Sequence, residues 1–114
     1  MTEIELNTLL LETFPELKDE FEEYTSWQDG LETGCFLVYE DLLLPLLKCA
    51  LAGQDSRLLM RAGQFIDGLL SSGDEYAANV AIVGLLEGLK SGKCDGIRGY
   101  LGPKALEEYD SLAY

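Results

Sequence analysis

The chain contains no histidine, and that absence removes more chemistry than any other feature of its 114 residues. Histidine is the commonest general base, a frequent zinc ligand and the side chain that titrates near neutral pH. Without it, Ser-His-Asp and Cys-His hydrolysis, two-histidine iron sites and histidine-rich metal centres cannot be built from these residues. Bases are scarce too, with 8 Lys and Arg against 21 Asp and Glu, for a formal net charge of −13. Three cysteines, Cys35, Cys49 and Cys94, are an odd number without C-x-x-C spacing, so neither a disulfide framework nor a zinc knuckle is expected. They read as reduced core thiols. No apolar run approaches the ~20 residues of a bilayer span: Leu42 to Leu47 is broken by Pro45, and Val80 to Leu86 is short. The start, Met1-Thr2-Glu3-Ile4-Glu5, lacks the basic and apolar regions of a secretory signal, so a cytoplasmic location is expected.

Phosphate-binding and calcium-binding signatures are absent as well. Neither G-x-x-x-x-G-K-[ST] nor G-x-G-x-x-G occurs, and Asp29-Gly30-Leu31-Glu32 does not fit a calcium loop. No cofactor and no metal is implied. A carboxylate pair can in principle hydrolyse glycosides, but these acids fall on amphipathic helices, where a solvated face explains them. The chain is expected to bind and not to catalyse.

What is present is enough apolar residue, 47%, to fill one core, and one domain over residues 1–114 is expected. Thr2-x-x-Glu5 is a capping box opening a helix over about 3–13. Phe14-Pro15-Glu16 opens a second, over about 15–26, whose Phe14, Leu17, Phe21 and Tyr24 form an apolar stripe between Glu16, Asp19, Glu20, Glu22 and Glu23. Residues 27–38 carry two glycines and no helical period, which predicts a loop, with Cys35 to Tyr39 as a short extended piece. Further helices are predicted over about 39–52, kinked at Pro45, and from Asp55 to Ser71. One more follows Asp74 over 75–90, apolar nearly all round and hence central. A turn of helix at 94–101 and a last helix from Pro103 to Ala113 complete the chain. Asn79 is expected to be a satisfied buried amide. The fold class is all-α: about six or seven short helices in an irregular bundle or a short HEAT-like stack of antiparallel hairpins.

Charge is unevenly distributed. Residues 1–41 hold twelve acids and one base, Lys18, for a net of −11, whereas residues 42–114 hold nine acids and seven bases, for −2. Such a field repels nucleic acid and anionic lipid and speeds encounter with basic proteins. Tyr24, Trp27, Phe36 and Tyr39 lie in or beside this acidic third, and aromatic anchors ringed by charge suit recognition. Phe21 and Phe36 are assigned to the core, and Arg57 and Arg61 to pairing with local acids.

The segments Leu-Leu-Glu-Thr-Phe-Pro-Glu-Leu-Lys-Asp-Glu-Phe-Glu (10–22), Asp-Glu-Tyr-Ala-Ala-Asn-Val (74–80) and Tyr-Leu-Gly-Pro-Lys-Ala-Leu-Glu (100–107) resemble a family of small acidic helical bacterial proteins. That family is similar to the immunity proteins that accompany polymorphic and contact-dependent growth inhibition toxins. The shared motifs are helix caps, helix starts and Gly-Pro breaks over most of the chain, and they carry no catalytic residues. The resemblance implies a stoichiometric inhibitor, monomeric before binding, that occludes the active site or substrate groove of a cognate toxin domain, such as a nuclease. Charge contacts would then come from Glu16, Asp19, Glu20, Glu23, Asp29, Glu32 and Asp41, and anchors from Tyr24, Trp27 and Tyr39. The rival expectation is an adaptor or scaffold subunit of a housekeeping complex, using a helix groove near residues 84–101 and an acidic face for solubility alone.

Overall fold

A computed structural model describes residues 1–113, and all of its regular elements are helical. Helix α1, Glu3–Thr13, starts on the expected capping box: Thr2 Oγ1 accepts the Glu5 N–H at 3.2 Å and Glu5 Oε1 accepts the Thr2 N–H at 3.0 Å. Leu6 and Leu10 project from α1 into the core. Pro15 then opens a 3-10 turn, Pro15–Leu17, that runs directly into α2, Lys18–Tyr24. This helix is shorter than the predicted 15–26. After Tyr24 the chain tightens into turns: the Ser26 N–H bonds the Glu23 carbonyl three residues back at 3.3 Å, and the Thr25 and Ser26 hydroxyls donate to the Phe21 and Glu23 carbonyls at 2.8 and 2.7 Å.

The expectation of an extended piece at Cys35 to Tyr39 is corrected. A continuous helix, α3, spans 35–53, made of Cys35–Val38, a π turn at Tyr39–Leu43, and Leu44–Gly53. Its N-cap, Gly34, has no side chain to offer, and Glu3 of α1 supplies the missing acceptor, taking the Cys35 N–H at 2.7 Å. A cap delivered from another helix leaves no local signature. The π turn ends at Leu43, two residues before Pro45, with the Leu44 N–H bonded to the Tyr39 carbonyl. Proline lacks an N–H and crowds the carbonyl four residues back, so the irregularity expected at Pro45 includes a wider turn beside it.

Helix α4, Ser56–Ser71, starts where predicted and is capped by Asp55, and α5, over 75–91, is capped by Asp74 as predicted. A second π turn, Ile82–Leu86, lies within α5 and packs against that of α3. Glycines permit the approach: a Cβ on Gly84 would sit 3.3 Å from the Tyr39 Cβ, and one on Gly88 would overlap the Leu44 side chain. Helix α5 packs on α3, α4 and the chain's last helix, but Glu75, Asn79 and Val83 remain exposed, so it is not surrounded. Asn79 is therefore no buried amide; Asn7 is, its Nδ2 donating to the Leu31 and Thr33 carbonyls at 2.9 Å each and pinning the 27–34 loop to α1. A 3-10 segment, Asp95–Tyr100, leads to α6, Pro103–Ser111. Gly102 is its N-cap, and again an acid from elsewhere, Asp67 of α4, accepts the Ala105 N–H at 3.2 Å.

One buried cluster joins all of these helices, with Phe14, Tyr39 and Tyr109 its largest fully enclosed side chains. The Cα radius of gyration is 13.1 Å, the value of about 13 Å expected for a globule of this length, so the helices form an irregular bundle and not an elongated stack. No helix among the described residues is long and apolar enough to cross a membrane.

Candidate functional site

Burial of Phe14, Leu17 and Phe21 turns α2 so that Asp19, Glu20, Glu22 and Glu23 all face solvent. None of the four has an ion pair among the described residues. Glu16 differs. It accepts Arg61 Nη1 at 2.8 Å, while the same nitrogen donates to the Thr13 carbonyl at 3.0 Å and the guanidinium stacks 5.4 Å from the Phe14 ring centre. Glu16 thus holds the α1–α2 corner to α4, as predicted for Arg61; Arg57 is exposed, with no ion pair among the described residues.

Helix α3 brings Asp41 beside α2, where the Tyr24 hydroxyl donates to Asp41 Oδ2 at 2.6 Å. That hydrogen bond, then burial and the charges of Asp41 and Glu40, push the Tyr24 phenol up to about 12. It stays protonated and donating. Tyr39, expected as an anchor, is corrected: it is fully enclosed, its hydroxyl donating to the Leu6 carbonyl at 2.7 Å, because the π turn rotates it toward α1 and α5. Trp27 goes the other way. At 94% exposed it stands clear of the molecule one turn beyond α2, flanked in sequence by exposed Gln28 and Asp29, with exposed Leu31 and Glu32 close behind.

Residues that sequence reasoning missed form an apolar depression beside this surface. Leu11 of α1, Pro15, Phe21 and Thr25 of the α2 region, and Gly30 with Leu31 of the loop line a groove of about 450 Å³. Its signal was the run Leu9-Leu10-Leu11, which offers more apolar face than a helix packed on one side requires. Lys18 and Glu22, both exposed, line it as well.

Elsewhere, in the 84–101 stretch, Gly84 and Gly88 are pressed against α3, and a depression of about 540 Å³ is lined by Lys90, Ser91, Lys93 and Asp95. The three cysteines are free but not uniformly core, since Cys49 is exposed and Cys94 half-buried. Cys35 is buried, and burial together with the Glu3 carboxylate raises its thiol well above the ordinary range. Among the described residues no three His, Cys, Asp or Glu side chains gather as metal ligands.

No curated protein matches the chain, and no solved structure does. The model of a family described as a domain of unknown function (DUF7674) matches residues 7–114, and the chain belongs to that family.

Proposed function

We propose that this protein is a binding module that recognises a basic partner protein through the exposed face of α2 and the Trp27 loop. The observation that carries the reading is a tryptophan at 94% exposure beside carboxylates that have no ion pair among the described residues. A large indole held in water is unfavourable for an isolated protein, and aromatic side chains framed by charge are what tight interfaces use as anchors. Asp19, Glu20, Glu23, Asp29 and Glu32 supply long-range attraction and speed encounter, whereas Trp27 sets the lifetime of the complex. Glu16, Tyr24 and Asp41 hold this surface together through their internal bonds.

The resemblance to immunity proteins read from the sequence supports a toxin domain as that partner. A nuclease groove built to hold phosphates is the kind of basic surface that an acidic helix fills. The test is capture from the native host with tagged wild-type protein and with the Glu20→Lys, Glu23→Lys double variant, at low and high salt, with mass spectrometry of what elutes. Near-equimolar recovery of a basic domain by the wild type, its loss with the variant, and rescue of growth when that domain is co-expressed with the wild type are the expected results. Recovery that ignores the charge reversal sinks the reading, as does a captured domain harmless to the cell for the toxin assignment.

A further inference from the structure

The groove beside α2 narrows what such a partner must carry. Its floor and walls are Leu11, Pro15, Phe21, Gly30 and Leu31, and its volume of about 450 Å³ falls within the ~300–1,000 Å³ of sites that take a discrete ligand group. Small-molecule sites orient their ligands with convergent polar groups, and here the polar side chains in the lining are few: the Thr25 hydroxyl is spent on the Phe21 carbonyl at 2.8 Å, and Lys18 and Glu22 are exposed to solvent. Contact inside the groove is therefore apolar, and selectivity has to come from its surroundings. Those surroundings are of one sign. The segments that wall it carry Glu12, Asp19, Glu22, Glu23, Asp29 and Glu32, all exposed and without an ion pair among the described residues, against the single cation Lys18. The loop wall is also firmly placed, because Asn7 ties the carbonyls on either side of Glu32 to α1 at 2.9 Å. A preformed apolar slot loses little entropy on filling.

We infer that this groove seats a leucine- or phenylalanine-sized side chain from a Lys/Arg-rich helical segment of the partner protein, with the surrounding carboxylates pairing the flanking cations. This inference rests on the binding role proposed above and assigns that role its apolar subsite. Helix-in-groove recognition of this type reads an apolar anchor by shape and its basic flanks by charge.

The test uses the full chain and two synthetic probes: an amphipathic helical peptide of Lys and Leu, and the same peptide with its Leu residues replaced by Ala. Binding is followed by the emission of Trp27, the only tryptophan in the chain, and by amide shifts in nitrogen-15 spectra. The Leu peptide is expected to move the amides of Leu11, Phe21, Thr25, Gly30 and Leu31 and to bind about tenfold more tightly than the Ala peptide, as loss of a buried aliphatic anchor implies. Leu31→Asn, at a position already 40% exposed, should weaken binding of the Leu peptide about tenfold, to the level at which the wild type binds the Ala peptide. Equal binding of the two peptides by the wild type overturns the groove assignment without any variant. If Glu20→Lys with Glu23→Lys still weakens both peptides in that case, charge recognition survives and the apolar subsite alone is lost. If the charge reversal weakens neither, both readings fall.

Discussion

Glu3, in the first turn of α1, accepts the N–H of Cys35 at 2.7 Å and so caps a helix that begins thirty-two residues later. The same carboxylate accepts the Tyr76 hydroxyl, which ties α1, α3 and α5 together at one end of the bundle. Burial opposes its ionisation, but the hydrogen bonds from the Cys35 thiol, the Tyr76 hydroxyl and the Cys35 amide outweigh it and hold Glu3 below its ordinary value of 4.5. A carboxyl depressed in the folded state contributes stability that is fully present above the unfolded value and lost as pH falls through the folded one. Glu3→Gln should therefore cost about 1–2 kcal/mol at pH 7, from one impaired cap and one weakened bond to Tyr76. Urea unfolding of wild type and variant should converge as pH drops below 4.5, and a constant gap down to pH 2 would contradict this account.

The Tyr24 to Asp41 bond makes a second prediction. With Asp41 as its acceptor, Tyr24 should lose its proton only near pH 12, and Asp41→Asn should bring that titration back toward the ordinary value of 10.0. Carbon-13 shifts of the Tyr24 ring measure it directly. An unchanged titration in the variant would mean that α2 and α3 are not joined through this pair.

Three glycines of similar appearance in the sequence should respond differently to alanine. A Cβ on Gly63 would overlap the backbone carbonyl of Tyr100, which cannot rotate away, so Gly63→Ala should cost about 3 kcal/mol. At Gly102 the obstacle is the Asp67 carboxylate, 2.6 Å from the added carbon. That side chain can swing, but only by releasing the Ala105 N–H, and about 1 kcal/mol is expected for the lost cap. Gly68, exposed in α4 with open space around it, should gain about 0.5–1 kcal/mol from Gly68→Ala. Thermal or urea unfolding of the three variants gives the ranking, and any other order refutes the close approaches of α4.

Thiol reactivity should follow burial. Cys49 is exposed, Cys94 half-buried, and Cys35 both enclosed and raised by burial and by Glu3. With a thiol reagent at pH 8, Cys49 should react first, Cys94 more slowly, and Cys35 only with global unfolding. Rapid modification of Cys35 in the native protein would show that the contact between α1 and α3 opens readily.

These expectations divide by how far each controlling contact reaches along the chain. Thr2, Asp55 and Asp74 cap their own helices three residues away, so the starts of α1, α4 and α5 were legible as local patterns. The acidic face of α2 was legible too, because Phe14, Leu17 and Phe21 recur at helical spacing and leave only one side for carboxylates. The start of α3 was not, since Gly34 is silent and its cap comes from Glu3; the start of α6 was legible from Pro103, but its borrowed cap from Asp67 was not.

Periodicity also could not separate Tyr39 from Trp27 as anchors, nor Asn7 from Asn79 as the buried amide. A π turn shifts register by one residue, and which polar group is enclosed depends on what packs over it. The apolar groove is likewise assembled from α1, the α2 region and a loop tied down by Asn7. By itself the sequence determined the helical class, most helix starts and the acidity of the first third, because period, propensity and charge are properties of neighbouring residues. Tertiary structure alone decided the borrowed caps, the burial of Tyr39 and the groove beside α2, because each requires side chains far apart in the chain to meet.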